Sequence, residues 1–359
     1  MSPKNPFLGG PRVNPVSLKP GMTVSELVDV FRASGAYQGG RLSEACGIYK
    51  RMIEEGAVVG LTLSGAMTPA GMGGALCRMI NDGFVDWIVS TGANVFHDLH
   101  FALDLALFQG DFAVSDIELR QEGVDRIYDI FLDEKTILDT ERFIFQTLKR
   151  FHNQPAKSTA ELHNILGKAV LEKGADPEKS FVAAAAKADL PIYTSSPGDS
   201  VIGMDLTCLR LKNVHITIDP VLDVMETGAI VMNAERNGVI IVGGGSPKNF
   251  YLQTQPFLEY GCGIKKGGHD YDIQIGTDPP HWGGLSGATP SEAVSWGKIN
   301  PEELEKNSVV VYSDATVAIP ILFSYLLSEH DPVEKKRLYT RRDEFVEELK
   351  NNFNMPLYL

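Results

Sequence analysis

Short, β-branched apolar runs alternate with segments of helical period along most of this chain, and that alternation restricts the fold more than any other feature. The runs lie at residues 57–63, 85–90, 215–218, 239–242, 273–275 and 309–312. Between them, apolar residues recur at helical spacing over residues 70–81, 98–108, 141–151, 159–172, 178–188, 222–237 and 250–260. Strands buried on both faces read as unbroken apolar runs, and parallel strands need a helical crossover between them. The pattern therefore predicts an α/β fold: a mostly parallel, doubly wound sheet flanked by helices.

Ahead of the first run, Thr23 stands three residues before Glu26, the signature of a capping box, and predicts a helix through Ser34. A second helix is expected over residues 42–55. Residues 1–22 are rich in Pro and Gly without any period and are expected to form an arm. No repeat or composition break divides residues 23–359, so one domain is expected there. The tail over residues 331–352 carries charge on most turns and reads as a solvated terminal helix.

Charge narrows the partners. With 33 basic and 46 acidic residues the net charge is −13. Such a chain repels phosphates, which argues against general nucleic-acid or anionic-membrane binding and favours cationic ligands. The longest apolar stretch, residues 315–327, is interrupted by Thr316, Pro320 and Ser324 and falls short of the roughly 20 residues that span a bilayer. The start, MSPKNPFLGG, lacks a basic-plus-apolar leader, so a cytoplasmic location is expected. Cys46, Cys77, Cys208 and Cys262 form no CxxC pair and are expected to be free thiols, with no structural zinc.

Ligands of open α/β sheets bind outside the carboxyl ends of the strands. Here those ends are small and hydroxyl-bearing: Ser64-Gly65 through Thr68, Thr91-Gly92-Ala93, Gly243-Gly244-Gly245, and Ser313-Asp314-Ala315. Such turns let backbone amides approach a phosphate at a helix N-terminus, and four of them suggest a nucleotide-sized ligand. Tight strand–helix connections alone would have the same composition, and no GxGxxG, P-loop, GxSxG or HExxH is present.

A second constellation is Glu292-Ala293-Val294-Ser295-Trp296-Gly297-Lys298, which follows a Gly-rich loop. A lysine desolvated beside an indole loses pKa and becomes a nucleophile for a carbonyl or imine carbon. The indole face suits an alkylammonium ligand, and Glu292 suits its other cationic end. The bland alternative is a surface lysine draped over the ring. His97 and His100 at i and i+3 form a possible metal pair without an obvious third ligand, whereas His269 and His281 stand in loops as candidate proton carriers.

The segment EAVSWGKI around Lys298 resembles the active-site signature of the deoxyhypusine synthase family. The resemblance continues through VIIVGGGSPK at residues 239–248, SGA at 286–288 and SVVVYSDATVAIP at 308–320, and covers roughly residues 16–330. It implies a Rossmann-like sheet, a homotetramer with sites at dimer interfaces, and NAD as a recycled redox cofactor in transfer of an aminobutyl group between polyamine amines. It further implies Lys298 as the nucleophile, with Trp296, Glu292, Asn249 and His281 lining the polyamine site. The implied NAD contacts are Ser64, Thr68, Thr91, Gly92, Ala93, Asp199, Gly243, Gly244, Thr277, Ser286, Asp314 and Ala315. Four departures stand out: Asn249 where the family carries a histidine after Lys248, Leu285 and His97 at acidic positions, and Met204 before Asp205 in the loop after Asp199. They point to a small polyamine product of the homospermidine or aminobutyl-agmatine kind. A synthase that modifies a translation-factor lysine, or a silent NAD- and polyamine-binding homologue, are the alternatives. His97 and His281 are the candidates for the missing base.

Overall fold

The computed structural model describes residues 8–354. Six parallel strands form the central sheet: β1 (Val58–Leu63), β2 (Trp87–Ser90), β6 (Ile192–Thr194), β7 (Asn237–Val242), β8 (Tyr271–Gly276) and β9 (Ser308–Tyr312). Their spatial order is β6-β2-β1-β7-β8-β9. Renumbered within the sheet this is 3-2-1-4-5-6, the order of dinucleotide-binding folds, and the direction of winding reverses between β1 and β7. The α/β reading therefore holds. Between β2 and β6 the chain inserts a small antiparallel sheet of β3 (Phe108–Gln109), β4 (Val124–Ile127) and β5 (Ile130–Asp133), in the order β3-β5-β4.

Alternation along each strand sends side chains into two helical layers. Leu61, Leu63, Ile240, Val242, Ile273 and Ile275 face a core shared with helices Tyr37–Glu54, Gly73–Asn81 and Ala315–Glu329. Trp87, Val89, Tyr193, Val239 and Ile241 face the opposite core, with helices Pro220–Asn233, Gly245–Leu252 and Arg342–Asn352. The sites described below lie on this second side. Tyr251 lies across β1 there, stacked on Trp87 with ring centroids 4.5 Å apart, and donates to the Gly238 carbonyl at 2.9 Å.

Several elements start where their caps dictate. Thr23 and Glu26 form the reciprocal capping box of helix Val24–Ser34, and Ser158 and Glu161 do the same for helix Thr159–Glu172. Elsewhere the sequence expectation is corrected. The run at 215–218 contributes only an isolated bridge between Lys157 and Ile218, because Asn213 turns the chain with positive φ just before it and Asp219 caps a helix just after it. The helix expected at 98–108 is Gly92–Ala102, starting early because Thr91 accepts from the Asn94 amide. The tail is docked rather than solvated: its helix is Arg342–Asn352, which buries Phe345, Val346 and Leu349. Of the expected arm, residues 1–7 lie outside the described residues, and residues 11–19 carry no regular element. Cys46, Cys77 and Cys262 are buried free thiols, and Cys208 is an exposed one.

Candidate active site

The crevice at the reversal between β1 and β7 is built from backbone that only small residues permit. Gly65 and Gly243 leave the two strands at φ +66° and +81°, a region open to glycine and costly for side chains. Ser64 donates its Oγ to the Gly244 carbonyl, tying the two strand ends together. Thr91 donates to the Gly65 carbonyl at 2.9 Å, and Ser246 donates to Ser195 Oγ at 2.8 Å. A cavity of about 240 Å3 remains, lined by Ser64, Gly65, Thr91, Gly92, Asp199 and Gly245 among others. No atom stands within 4 Å of where a Cβ on Gly65 would sit, so a side chain there would occupy ligand space. Helices Gly92–Ala102 and Gly245–Leu252 begin at this cavity, a placement suited to phosphate.

The remaining residues expected to contact a nucleotide are dispersed. Thr68 is buried and donates to the Asn94 carbonyl at 2.8 Å, fixing the turn after β1 rather than facing the cavity. Ala93 is half-buried behind Gly92. Ser286 accepts from the Gly245 amide at 3.0 Å and so closes the rim. Thr277 follows β8, and Asp314 and Ala315 follow β9, two strands and about 10 Å from the crevice by strand spacing. Asp314 caps helix Ala315–Glu329 by accepting from Thr316.

Helix Gly245–Leu252 runs from this crevice to a second cavity of about 390 Å3, within the usual range for small-molecule sites. Lys298, Trp296, Glu292 and Asn249 all line it. Thr289 caps the short helix Pro290–Val294 that carries Glu292, and Gly297, at φ +66°, turns the chain so that Lys298 re-enters the protein. The Lys298 Nζ donates to Asn249 Oδ1 at 2.8 Å and lies 5.8 Å from the centre of the Trp296 ring. Burial pushes its pKa below the ordinary lysine value, with Glu292 opposing. The Asn249 carbonyl accepts without adding charge, which leaves that depression in place. Trp296 keeps 62% of its surface exposed at the cavity mouth. His281 is exposed beside Trp282 and does not line the cavity.

Three residues not singled out from the sequence complete the walls. Lys248 is 3% exposed and donates to Gln274 Oε1 at 2.9 Å and to the carbonyls of Leu285, Ser286 and Ala288. Gln274 donates back to the Ser286 carbonyl at 2.9 Å. Asp272, two residues earlier on the same face of β8, is 1% exposed and lines the cavity floor. The available signal was polar residues at alternate positions of a strand buried between neighbours, where apolar ones are the rule. His97 and His100 lie elsewhere: they bond each other at 3.1 Å, and His100 meets Thr140 at 2.8 Å. Burial lowers their pKa values to about 4 and about 3, so both are neutral near pH 7. No cluster of three or more metal-ligating side chains occurs among the described residues.

Comparison with known proteins identifies the family. The deoxyhypusine synthase family model matches residues 26–326. A "Deoxyhypusine synthase-like protein" of Nostoc punctiforme is 45% identical over 353 residues, covering 96% of this chain and 90% of that one. A "Probable deoxyhypusine synthase 2" of Methanosarcina acetivorans is 42% identical over 319 residues, covering 89% and 90%. A crystal structure assigned as a deoxyhypusine synthase from Entamoeba histolytica superimposes with a TM-score of 0.58 at 15% identity over 88% of this chain and 96% of that one, a likeness of fold. With its lysine segment in place and its family model matched across most of its length, the chain belongs to the deoxyhypusine synthase family.

Proposed function

We propose that this chain is an NAD-dependent aminobutyl transferase that builds a small polyamine, of the homospermidine or aminobutyl-agmatine kind, through an imine on Lys298. The observation that carries the proposal is the state of Lys298: a desolvated amine, held by an uncharged acceptor 2.8 Å away, beside an indole face. A lysine kept for an ion pair would have a carboxylate in that place.

NAD would be held in the crevice between β1 and β7 by Ser64, Thr91, Gly92, Asp199, Gly243 and Gly244, with Ser286 at its rim. Thr68 and Ala93 support that wall from behind, and Thr277, Asp314 and Ala315 serve a ligand reaching along the strand ends. When bound, NAD supplies an acceptor for the hydride that turns the donor amine into an imine, and returns that hydride to the product imine. The chain's own residues do the transfer. Asn249 accepts one N–H of Lys298, so the nitrogen lone pair is free to bond the imine carbon. The new C–N bond forms as the first amine leaves with the proton that Lys298 gives up. The acceptor amine then bonds the same carbon, the bond to Lys298 breaks, and the lysine returns as free amine. The Trp296 ring shields the cationic chain from water, and Glu292 balances its charge at the mouth. A neutral amide at 249 and an apolar side chain at 285 alter the family's amine-anchoring set, which favours a small acceptor over a protein lysine. Residues 23–359 act as one catalytic unit, with residues 1–22 as an arm. Four chains assemble so that neighbours cover the exposed Trp296.

The test is borohydride trapping. Protein incubated with NAD and putrescine or spermidine, then reduced, is expected to carry a butylamine adduct on the peptide containing Lys298, and Lys298→Arg to carry none. An unmodified Lys298 with both amines, in protein shown to bind NAD, overturns the proposal.

A further inference from the structure

The cavity beside Lys298 holds an acidic group that nothing so far employs. Asp272 projects from β8 on the same face as Gln274, is 1% exposed, and keeps its Oδ1 without a hydrogen-bond partner among the described residues. A buried polar atom left unpaired costs about 1–3 kcal/mol, more if charged, so such an atom in a cavity wall calls for a ligand. The nearby cation is committed elsewhere. Lys248 Nζ is spent on Gln274 Oε1 and three backbone carbonyls and makes no ion pair with Asp272. Gln274 is likewise engaged elsewhere, its oxygen accepting from Lys248 and its amide donating to the Ser286 carbonyl. One carboxylate oxygen is thus left without a partner on a residue that lines the same cavity as Lys298.

We propose that Asp272 is the anchor for the far cationic end of the amine, the end not bonded to Lys298, and that it selects diamines and longer polyamines over monoamines. This rests on the transferase reading above and names the specificity residue of the same site. Leu285, which lines the cavity where an acidic anchor was expected, offers no charge. The anchor has moved to the strand floor, on a rigid element that fixes its distance from Lys298. The buried carboxyl is pushed up to about 7 by desolvation, with Lys248 opposing. An ammonium in the cavity would restore the charge partner that burial removes.

Calorimetric titration of the NAD-loaded protein with putrescine and with n-butylamine tests this. Wild type is expected to bind putrescine more tightly than n-butylamine. Asp272→Asn, nearly isosteric, is expected to weaken putrescine about 10- to 100-fold, the worth of a hydrogen bond to a charged group, and to leave n-butylamine unchanged. Asp272→Ser, smaller and also uncharged, gives the same comparison if an amide disturbs β8. A retained diamine preference in a folded, NAD-binding variant overturns the anchor, as does a wild type that does not prefer the diamine. The two proposals fail separately. An unmodified Lys298 in wild type defeats the transferase even where Asp272 discriminates, whereas an adduct that forms as readily from n-butylamine as from putrescine defeats the anchor alone.

Discussion

Asn249 holds Lys298, the proposed nucleophile, without bringing it a charge. Its Oδ1 accepts from Lys298 at 2.8 Å without bringing a charge, so burial governs and the lysine pKa stays below its ordinary value of about 10.4. Asn249→Asp keeps the acceptor and adds a negative charge at the same distance. An opposite charge that close raises a lysine pKa by about 1–3 units, so less free amine is present at pH 8. The expected result is a pH profile for imine trapping displaced to higher pH by at least about one unit, with trapping at pH 8 slowed about tenfold. An unmoved profile would mean that Asn249 does not tune Lys298. Lys298, Trp296 and Glu292 were legible in sequence because they are contiguous and chemically distinctive. Asp272 was not, because it enters from a strand read only as the apolar run Ile273–Ile275, and only the fold brings that strand to the cavity that Lys298 lines. His281, a loop histidine near the motif in sequence, does not line the cavity of a single chain.

Among the elements, β1 and helix Gly245–Leu252 are packed too closely for any side chain at Gly60. A Cβ there would stand 2.1 Å from the Tyr251 ring. Gly60→Ala must displace that ring from Trp87 and from the Gly238 carbonyl, an overpacking that costs about 1–3 kcal/mol. The expected outcome is a lower thermal midpoint, together with weaker NAD binding because the same helix forms one side of the crevice. A thermal midpoint equal to wild type would show that the contact relaxes without cost. Elements with a cap and a long period were legible, as Thr23–Glu26 and Ser158–Glu161 show. The short antiparallel strands β3 to β5 were not. Two to four residues give too little alternation to separate strand from loop, and the β4–β5 turn runs through Tyr128 at φ +54°, a conformation that tyrosine does not advertise. The tail misled for a different reason. Its charges mark one face of helix Arg342–Asn352, while Arg342 stacks on Tyr339 at 3.8 Å and the apolar face docks on the molecule.

At the scale of the whole molecule, the cavity that Lys298 lines carries exposed apolar side chains. Trp296 is 62% exposed and Leu285 44%, two apolar side chains at the cavity on a protein of net charge −13. Clustered exposed apolar side chains of this kind mark surfaces that a partner covers. A neighbouring copy covering them would exclude water from the imine. Specific activity is therefore expected to fall on dilution in step with dissociation measured by light scattering. Constant activity across dissociation would show that one chain suffices. No helix among the described residues is long and apolar enough to cross a membrane. One helix serves both cavities. Helix Gly245–Leu252 meets the crevice with its first residues and the second cavity with Lys248 and Asn249, so in the proposed transferase one helix borders both the redox grip and the amine choice. Asn249, Asp272 and Leu285 line the second cavity and not the crevice, so on that proposal substitutions there are expected to alter the choice of amine more than the hold on NAD. Such a scaffold can exchange its customers over evolutionary time while keeping a single engine.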